Sequence, residues 1–424
     1  MYKVFKYLFC IIILLLNSFT KMFKNIKLYI RLKKLASKLK KEKKIDFLSE
    51  LKFDSYVLIV DVKIPEFNND SGSRRLTEII KILLKNKVGV FLLADFEEYR
   101  FKYDYIEIFK EMGVIVYEPS LDNAGNLITK NDFLKIVLPK VSIAWLHRPE
   151  IFQKYFPLVK KNKPGIKVFF DMVDFHYLRI KRESELMNKP EIMEIARKYL
   201  NLELDNCNKA DKVIVISDID KEALSLHYKD DSKIITIGNV HQYIKNENAP
   251  SFKERKDLLF IGGFDHKPNV DAIMYLHEEI MPLLWKLKPE ISISILGSNP
   301  PESILILNSN LFKIVGYVKD VSPYFLNSKI FVAPLRYGAG IKGKIGQSLE
   351  FGLPLVTTNI GAEGFDFGVN KKHIVGNTTQ EMVDHIILMY DNEEIWNKIS
   401  LDSEEVIKPF SVTTIEERIV SIMK

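Results

Sequence analysis

At 424 residues and 47% hydrophobic, the chain is long enough for two α/β domains of ordinary size, with no internal repeat to suggest a solenoid. Its formal charge of +7 is concentrated at one end: residues 1–44 hold thirteen Lys/Arg against Glu42 alone, which leaves the remainder mildly acidic and excludes a basic groove for nucleic acid. Cys10 and Cys207 offer neither a metal-ligand cluster nor a disulfide framework, which suits a reducing cytoplasm.

The first element is a separate problem. Lys3 and Lys6 precede an apolar run, LFCIIILLL over residues 8–16, which has the length of a signal-peptide core but no clear small-residue cleavage site. It is too short to span a bilayer, which takes about 20 apolar residues. Residues 21–44 read as a basic helix with Met22, Phe23, Ile26, Ile30 and Leu39 among its apolar positions, the composition of an interfacial anchor on an anionic leaflet. A solvated charge run, or an extension upstream of a start at Met22, reads the same residues differently.

From residue 51 strands and helices alternate. Short apolar runs at 56–61, 88–93, 114–117, 167–171 and 213–216 predict parallel strands, separated by helical patterns such as 74–85 and 191–207. A doubly wound sheet follows, and its ligand sites belong at the carboxyl ends of the strands. After the first strand, PEFNNDSG leads into Ser73, Arg74 and Arg75 at a helix start. Small residues there could admit an acceptor and the arginines could hold an anion, or Ser73 is a cap and the arginines are solvated. The strand at 167–171 runs into Asp174 and His176, a carboxylate and an imidazole suited to proton transfer or hydrogen bonding near neutral pH, or to a structural role.

Residues 243–256, polar with a proline, predict a linker, and a second strand series follows at 257–262, 291–296, 313–315, 330–334 and 355–357. Gly262 and Gly263 end the first of these and permit close backbone approach. His266, Lys267 and Asn269 then supply donors near a helix predicted over 270–287, unless Asn269 is only its cap. Tyr317 could border a base or be packed. The stretch PLRYGAGIKGKIGQSLEFGLPLVTTNIGAEG sets Gly338, Gly340 and Gly343 among Lys342 and Lys344, just before a helix predicted over 344–351. Free N–H groups, the positive helix end and two ammonium groups favour an anion there, as against a surface turn with two solvated lysines.

Taken together, FIGGFDHKPNVDA, VGYVKDV and the GIKGK loop with VTTNIGAEG resemble the donor half of family 4 nucleotide-sugar glycosyltransferases. VDVKIPEFNNDSGSRR, WLHRPE, FFDMVDFHYLR and ADKVIVIS resemble the acceptor half. The resemblance runs from about residue 55 to near the C-terminus. It implies an α/β GT-B fold: two Rossmann-like doubly wound parallel-sheet domains facing across a cleft, here with a basic N-terminal helical extension. The corresponding organisation is an extension at 1–50, an acceptor-side domain at 51–242, a linker at 243–256, a donor domain at 257–408, and a helix at 409–424 expected to pack back on the first domain.

The resemblance also implies sugar transfer from a nucleoside-diphosphate donor with retention of anomeric configuration, without a metal or other cofactor; the basic N-terminal segment adds the expectation of a glycan or lipid-linked acceptor at the cytoplasmic face of the membrane. It assigns Lys344 to charge on the departing diphosphate and His176, oriented by Asp174, to the transferred sugar. The donor set is Gly262, Gly263, His266, Lys267, Asn269, Tyr317, Arg336, Gly340, Ile341, Lys342, Gly343 and Gln347. The acceptor set is Gly72, Ser73, Arg74 and Arg75. One departure stands out: where the family carries two glutamates eight positions apart, this chain has Ala339 and Gln347, with Glu350 one turn further on and expected outside the ligand's immediate contacts. A catalytically silent binding subunit and a nucleotide-sugar epimerase are the competing readings.

Overall fold

The computed structural model describes residues 45–49, 51–95, 103–246 and 249–423, together with Ile30, Lys33, Lys34, Ser37 and Leu39. The anchor expected over residues 1–44 therefore lies, those five positions apart, outside the described residues. Among the described residues no helix is long and apolar enough to cross a membrane.

Two parallel sheets organise the chain. The N-terminal domain contributes β1 (Ser55–Asp61), β2 (Val88–Ala94), β3 (Ile115–Val116), a small antiparallel hairpin of β4 (Ser120–Leu121) and β5 (Leu127–Ile128), then β6 (Val141–His147), β7 (Lys167–Asp171), β8 (Lys212–Val215) and β9 (Ile234–Thr236). Seven of these pair in the order β3-β2-β1-β6-β7-β8-β9. The C-terminal domain pairs β10 (Lys256–Ile261), β11 (Ile293–Leu296), β12 (Phe312–Gly316), β13 (Ser328–Ala333) and β14 (Leu355–Thr357) in the order β12-β11-β10-β13-β14. Near-continuous apolar strands are what a sheet covered by helices on both faces requires. Val57 and Ile59 accordingly enter one core cluster while Leu58 and Val60 enter the other. In each sheet the order reverses beside the first strand, at β1/β6 and at β10/β13, and the carboxyl ends of those strands open the crevices where ligands bind such folds.

Two departures from the sequence reading have physical causes. The central strand β6 was not among the expected strands because Ser142 and His147 interrupt its apolar run; in the fold Trp145 Nε1 donates to Asp171 Oδ2 at 3.0 Å and His147 is buried. The helix expected over 270–287 starts earlier, at Lys267, and passes through a π-turn at Leu276–Ile280 before Met281–Leu287. Pro282 lacks the N–H that α geometry would aim at Glu278, and its ring would crowd that carbonyl, so the wider turn relieves both.

The chain crosses between the domains twice. The first crossing is the irregular segment between β9 and β10. The second follows the Glu393–Ile407 helix, where a 3₁₀ turn at Lys408–Phe410 precedes the Val412–Met423 helix. That last helix buries Ile415, Ile419 and Ile422 in the N-terminal core with Ile79 and Leu83.

Candidate active site

The N-terminal half of the site is built on the end of β7. Val173 follows it at φ 65, a left-handed conformation costly for a β-branched residue, and the resulting turn carries Asp174 before the His176–Met187 helix. Asp174 Oδ1 lies 2.7 Å from His176 Nδ1, and Oδ2 accepts from Arg179 Nε at 2.8 Å. From the Pro190–Lys209 helix the fully buried Glu203 accepts the backbone N–H groups of His176 (2.9 Å) and Tyr177 (3.1 Å), capping the His176 helix from outside. The Tyr199 ring stacks on the imidazole at 5.3 Å.

Burial works against an imidazolium at His176, but Asp174 and Glu203 outweigh it and push the histidine up to about 10. Burial likewise opposes ionisation of Asp174, and His176 and Arg179 overcome it, holding the carboxyl far below the usual range. With Nδ1 held toward Asp174, Nε2–H is the donor this cation has left for a ligand.

The other half forms where β13 leads into the Gly343–Glu350 helix. Gly340 takes φ 68, and a Cβ there would also stand 2.4 Å from Ile216 Cδ1, so both backbone and space require glycine. Lys342 is the N-cap position but supplies no side-chain hydrogen bond to the first turn. Lys344 Nζ contacts Asn269 Oδ1 and sits 4.3 Å from the Phe260 ring centroid; burial, and then the charge of Lys342, lower it to about 7. Lys342, lowered mainly by burial, lies 3.2 Å from Glu363 Oε2 and donates to Gly340 O. Asn269 Nδ2 donates to Gly263 O at 2.6 Å, and a Cβ on Gly262 would meet Lys344 Nζ at 2.5 Å.

These halves face each other. Burial and then Lys344 lower His266 to about 4, and the same imidazole senses Lys342 from its own domain and Arg179 and Asp174 from the other. A Cβ on Gly343 would stand 2.5 Å from Ser71 Cβ, so the glycine-lysine loop abuts the start of the Ser71–Lys85 helix.

Other expected residues fall elsewhere. Asp70, not Ser73, caps the Ser71–Lys85 helix: Ser73 donates to it through N (2.7 Å) and Oγ (2.9 Å), with Gly72 packed between Asp70 and Val173. Arg75, expected to hold an acceptor, is 2% exposed and forks onto Asp171 at 3.0 and 3.1 Å while donating to Ile237 O, so it braces the domain rather than facing the cleft. Arg74 forks onto Glu350 at 2.7 and 3.0 Å, and His241 Nδ1 lies 2.8 Å from the same carboxylate; Glu350 is thus the buried joint of the two domains.

Lys267 pairs with the buried Glu183 across the cleft at 2.8 Å, and Arg336 with Asp271 at 2.5 Å. Tyr317, half exposed, accepts from Asn68 at 3.2 Å. Ile341 is buried, with its carbonyl on Asn239, while Gln347 and Ala339 are half-buried.

The sequence reading missed Glu203, Arg179, Arg182, Glu363 and Asp220. Glu203 left a trace: it shares a helical face with Ala196 and Cys207, both buried, and a carboxylate on an apolar face signals an internal partner. Asp220, buried, accepts from Gly340 N at 3.1 Å and is pushed up to about 6 by burial despite Lys342. Among the described residues no group of three or more His, Cys, Asp or Glu is placed to hold a metal ion.

Two facing doubly wound domains with a glycine-lysine loop at the cleft define the GT-B class. Residues 255–392, which hold the second sheet and the glycine-lysine loop, match the family model described as glycosyl transferases group 1. A curated relative, an uncharacterized 44.6 kDa protein in the cps region of Klebsiella pneumoniae, is 23% identical over 295 residues, 68% of this chain and 65% of that one. The chain thus spans just under two thirds of that relative.

Among solved structures, TarM superposes with a TM-score of 0.66 at 13% identity, covering 89% of this chain and 100% of that one. Anabaena HepE in complex with UDP and glucose gives 0.62 at 12%, covering 88% and 99%. The pneumococcal O-GlcNAc transferase GtfA in complex with UDP and GlcNAc gives 0.62 at 12%, covering 88% and 100%. At these identities the likeness is one of fold.

Proposed function

We propose that the chain transfers a sugar from a nucleoside-diphosphate donor to a glycan or lipid-linked acceptor, with retention of configuration, in the assembly of a cell-surface polysaccharide. The observation that carries this is the convergence of Lys342, Lys344 and an uncapped helix N-terminus on one wall of the cleft, with the His176 cation on the other. The relatives support it: two of the matched structures hold UDP with a sugar, and the Klebsiella protein lies in a cps region.

In the reaction the bond from the anomeric carbon to the β-phosphate oxygen breaks and the acceptor oxygen bonds to that carbon. The acceptor's proton passes to the departing diphosphate. Negative charge grows on the diphosphate, where Lys344 and the amides at Gly343 and Lys344 stand preorganised to stabilise it and Lys342 lies beside them. His176 Nε2–H donates to a hydroxyl of the transferred sugar, and Asp174 with Glu203 fixes the imidazole so that this donor is aimed before the substrate arrives. The lysines take the charge-neutralising part that a divalent cation plays in other phosphate sites, and transfer is expected to persist in EDTA.

The test is a panel of UDP-, GDP-, ADP- and dTDP-sugars incubated with purified protein, following donor turnover. Turnover that falls about 10²–10³-fold in Lys344→Ala supports the reading. Nucleotide binding without turnover across the panel would favour the silent binding subunit, the reading that Ala339 and Gln347 speak for. The basic segment 1–44 supports attachment to an anionic leaflet, and sedimentation with phosphatidylserine vesicles, with and without that segment, decides it.

A further inference from the structure

Glu363 lies in the VTTNIGAEG stretch, yet its contacts are with cations from both sides of the cleft. On the donor side Lys342 Nζ stands 3.2 Å from Oε2. From the N-terminal domain Arg182 grips both oxygens, Nη2 to Oε1 at 2.6 Å and Nη1 to Oε2 at 3.0 Å, while Nη1 also donates to Gly338 O at 2.6 Å. The three side chains are 21% (Arg182), 13% (Glu363) and 9% (Lys342) exposed, so solvent screens these pairs little. Arg182 lies on the helix that His176 opens, six residues and thus roughly 9 Å along the axis.

This arrangement bears on how Lys342 can serve a diphosphate. A lysine that is the sole counter-ion of a largely buried carboxylate cannot turn away without leaving that charge unpaired. Arg182 removes the obstacle, because its planar fork satisfies both oxygens of Glu363 at once. We propose that Arg182 and Glu363 are positioning residues of one latch: Arg182 holds Glu363 so that Lys342 is free to turn to the donor diphosphate, and the same fork registers the His176 helix against the donor loop. This rests on the proposed use of a nucleoside-diphosphate donor.

The latch has a signature that loss of packing does not share. Without Arg182, Glu363 retains Lys342 and competes with the diphosphate. Without the charge on Glu363, Lys342 is released to the diphosphate while the helix loses its register. The two substitutions therefore move diphosphate affinity in opposite directions and turnover in the same one.

The test titrates the full chain calorimetrically with UDP, GDP, ADP and dTDP, then carries the tightest of them to the variants. Arg182→Ala is expected to weaken binding about tenfold, in keeping with loss of charge-assisted hydrogen bonds. Arg182→Lys falls between, since a point charge cannot keep the fork. Glu363→Gln binds at least as tightly as the parent, the double variant recovers the affinity lost in Arg182→Ala, and kcat drops in all of them. Affinities that shift in the same direction in Arg182→Ala and Glu363→Gln, or do not shift, overturn the latch; should Arg182→Ala not fold, Arg182→Lys against Glu363→Gln gives the same comparison of signs. A parent chain that binds none of the four overturns the proposed function itself, which is a different result from binding without the opposed shifts.

Discussion

Lys344 is a lysine held near its neutral form. Burial and Lys342 bring it to about 7, against an ordinary lysine value of 10.5. Between those values the unfolded chain binds more protons than the folded one, so this group makes stability rise with pH from about 7 to about 10 and contributes a constant deficit below 7. On the proposed role of Lys344, a bound diphosphate supplies the missing counter-charge and restores the proton. Diphosphate binding at pH 8 is therefore expected to take up a proton, read from binding enthalpies in buffers of different ionisation heat, and Lys344→Met is expected to abolish the uptake. A binding enthalpy independent of buffer would contradict the assignment. His176 runs the other way: with its pKa raised to about 10, its stabilising contribution is complete below the ordinary 6.5 and is lost as pH rises through 10. Asp174→Asn removes the largest support of that cation, so the His176 resonance should titrate several units lower by NMR, and, on the proposed hydrogen bond from His176 to the transferred sugar, turnover should fall roughly a hundredfold at pH 8.

At the scale of elements, the site depends on strand ends that could be read and on helix faces that could not. The carboxyl ends of β7, β10 and β13 were legible because glycine, lysine, aspartate and histidine interrupt apolar runs there: Asp174 and Lys344 both act on His266, and His176 lies against Asp174. Arg74 and Arg75 were not, since adjacent positions on a helix point about 100° apart and only the packed structure tells that one reaches Glu350 and the other turns inward to Asp171. Glu350 was expected to lie apart from the ligand's immediate contacts, and its partners Arg74 and His241 come from segments distant in sequence, which no local pattern joins. The strand end at Gly262 gives an element-scale prediction. A methyl group there stands 2.5 Å from Lys344 Nζ, the end of a flexible side chain, and 2.8 Å from Cγ and Nδ2 of the buried Asn269. Gly262→Ala should therefore lower the melting temperature modestly, as Asn269 shifts, and raise the KM for the proposed donor about tenfold or more, as Lys344 is pushed from its cradle. A normal KM would mean that Lys344 does not need that position.

At the scale of the molecule, the two domains are joined by what crosses between them, and the crossing made by the C-terminal helix differs in kind from the rest. The pairs Arg74–Glu350, Lys267–Glu183 and Arg182–Glu363 span the cleft as charges, each with a largely buried carboxylate. The Val412–Met423 helix instead adds Ile415, Ile419 and Ile422 to a hydrophobic core shared with Ile79, Ile82 and Leu83. That contact belongs to the N-terminal domain although the segment follows the C-terminal domain in sequence, so the core of the N-terminal domain is closed by the Val412–Met423 helix. Ile419→Ala, at a side chain 1% exposed, is expected to cost about 2–5 kcal/mol, read as a shift in the urea transition. The loss should fall on the N-terminal domain alone: hydrogen exchange should quicken in β1 and β2, which this cluster covers, and leave β10 and β13 as protected as in the parent. Uniform quickening in both sheets would mean instead that the domains unfold as a single unit, with the charge pairs across the cleft coupling them as tightly as the core itself.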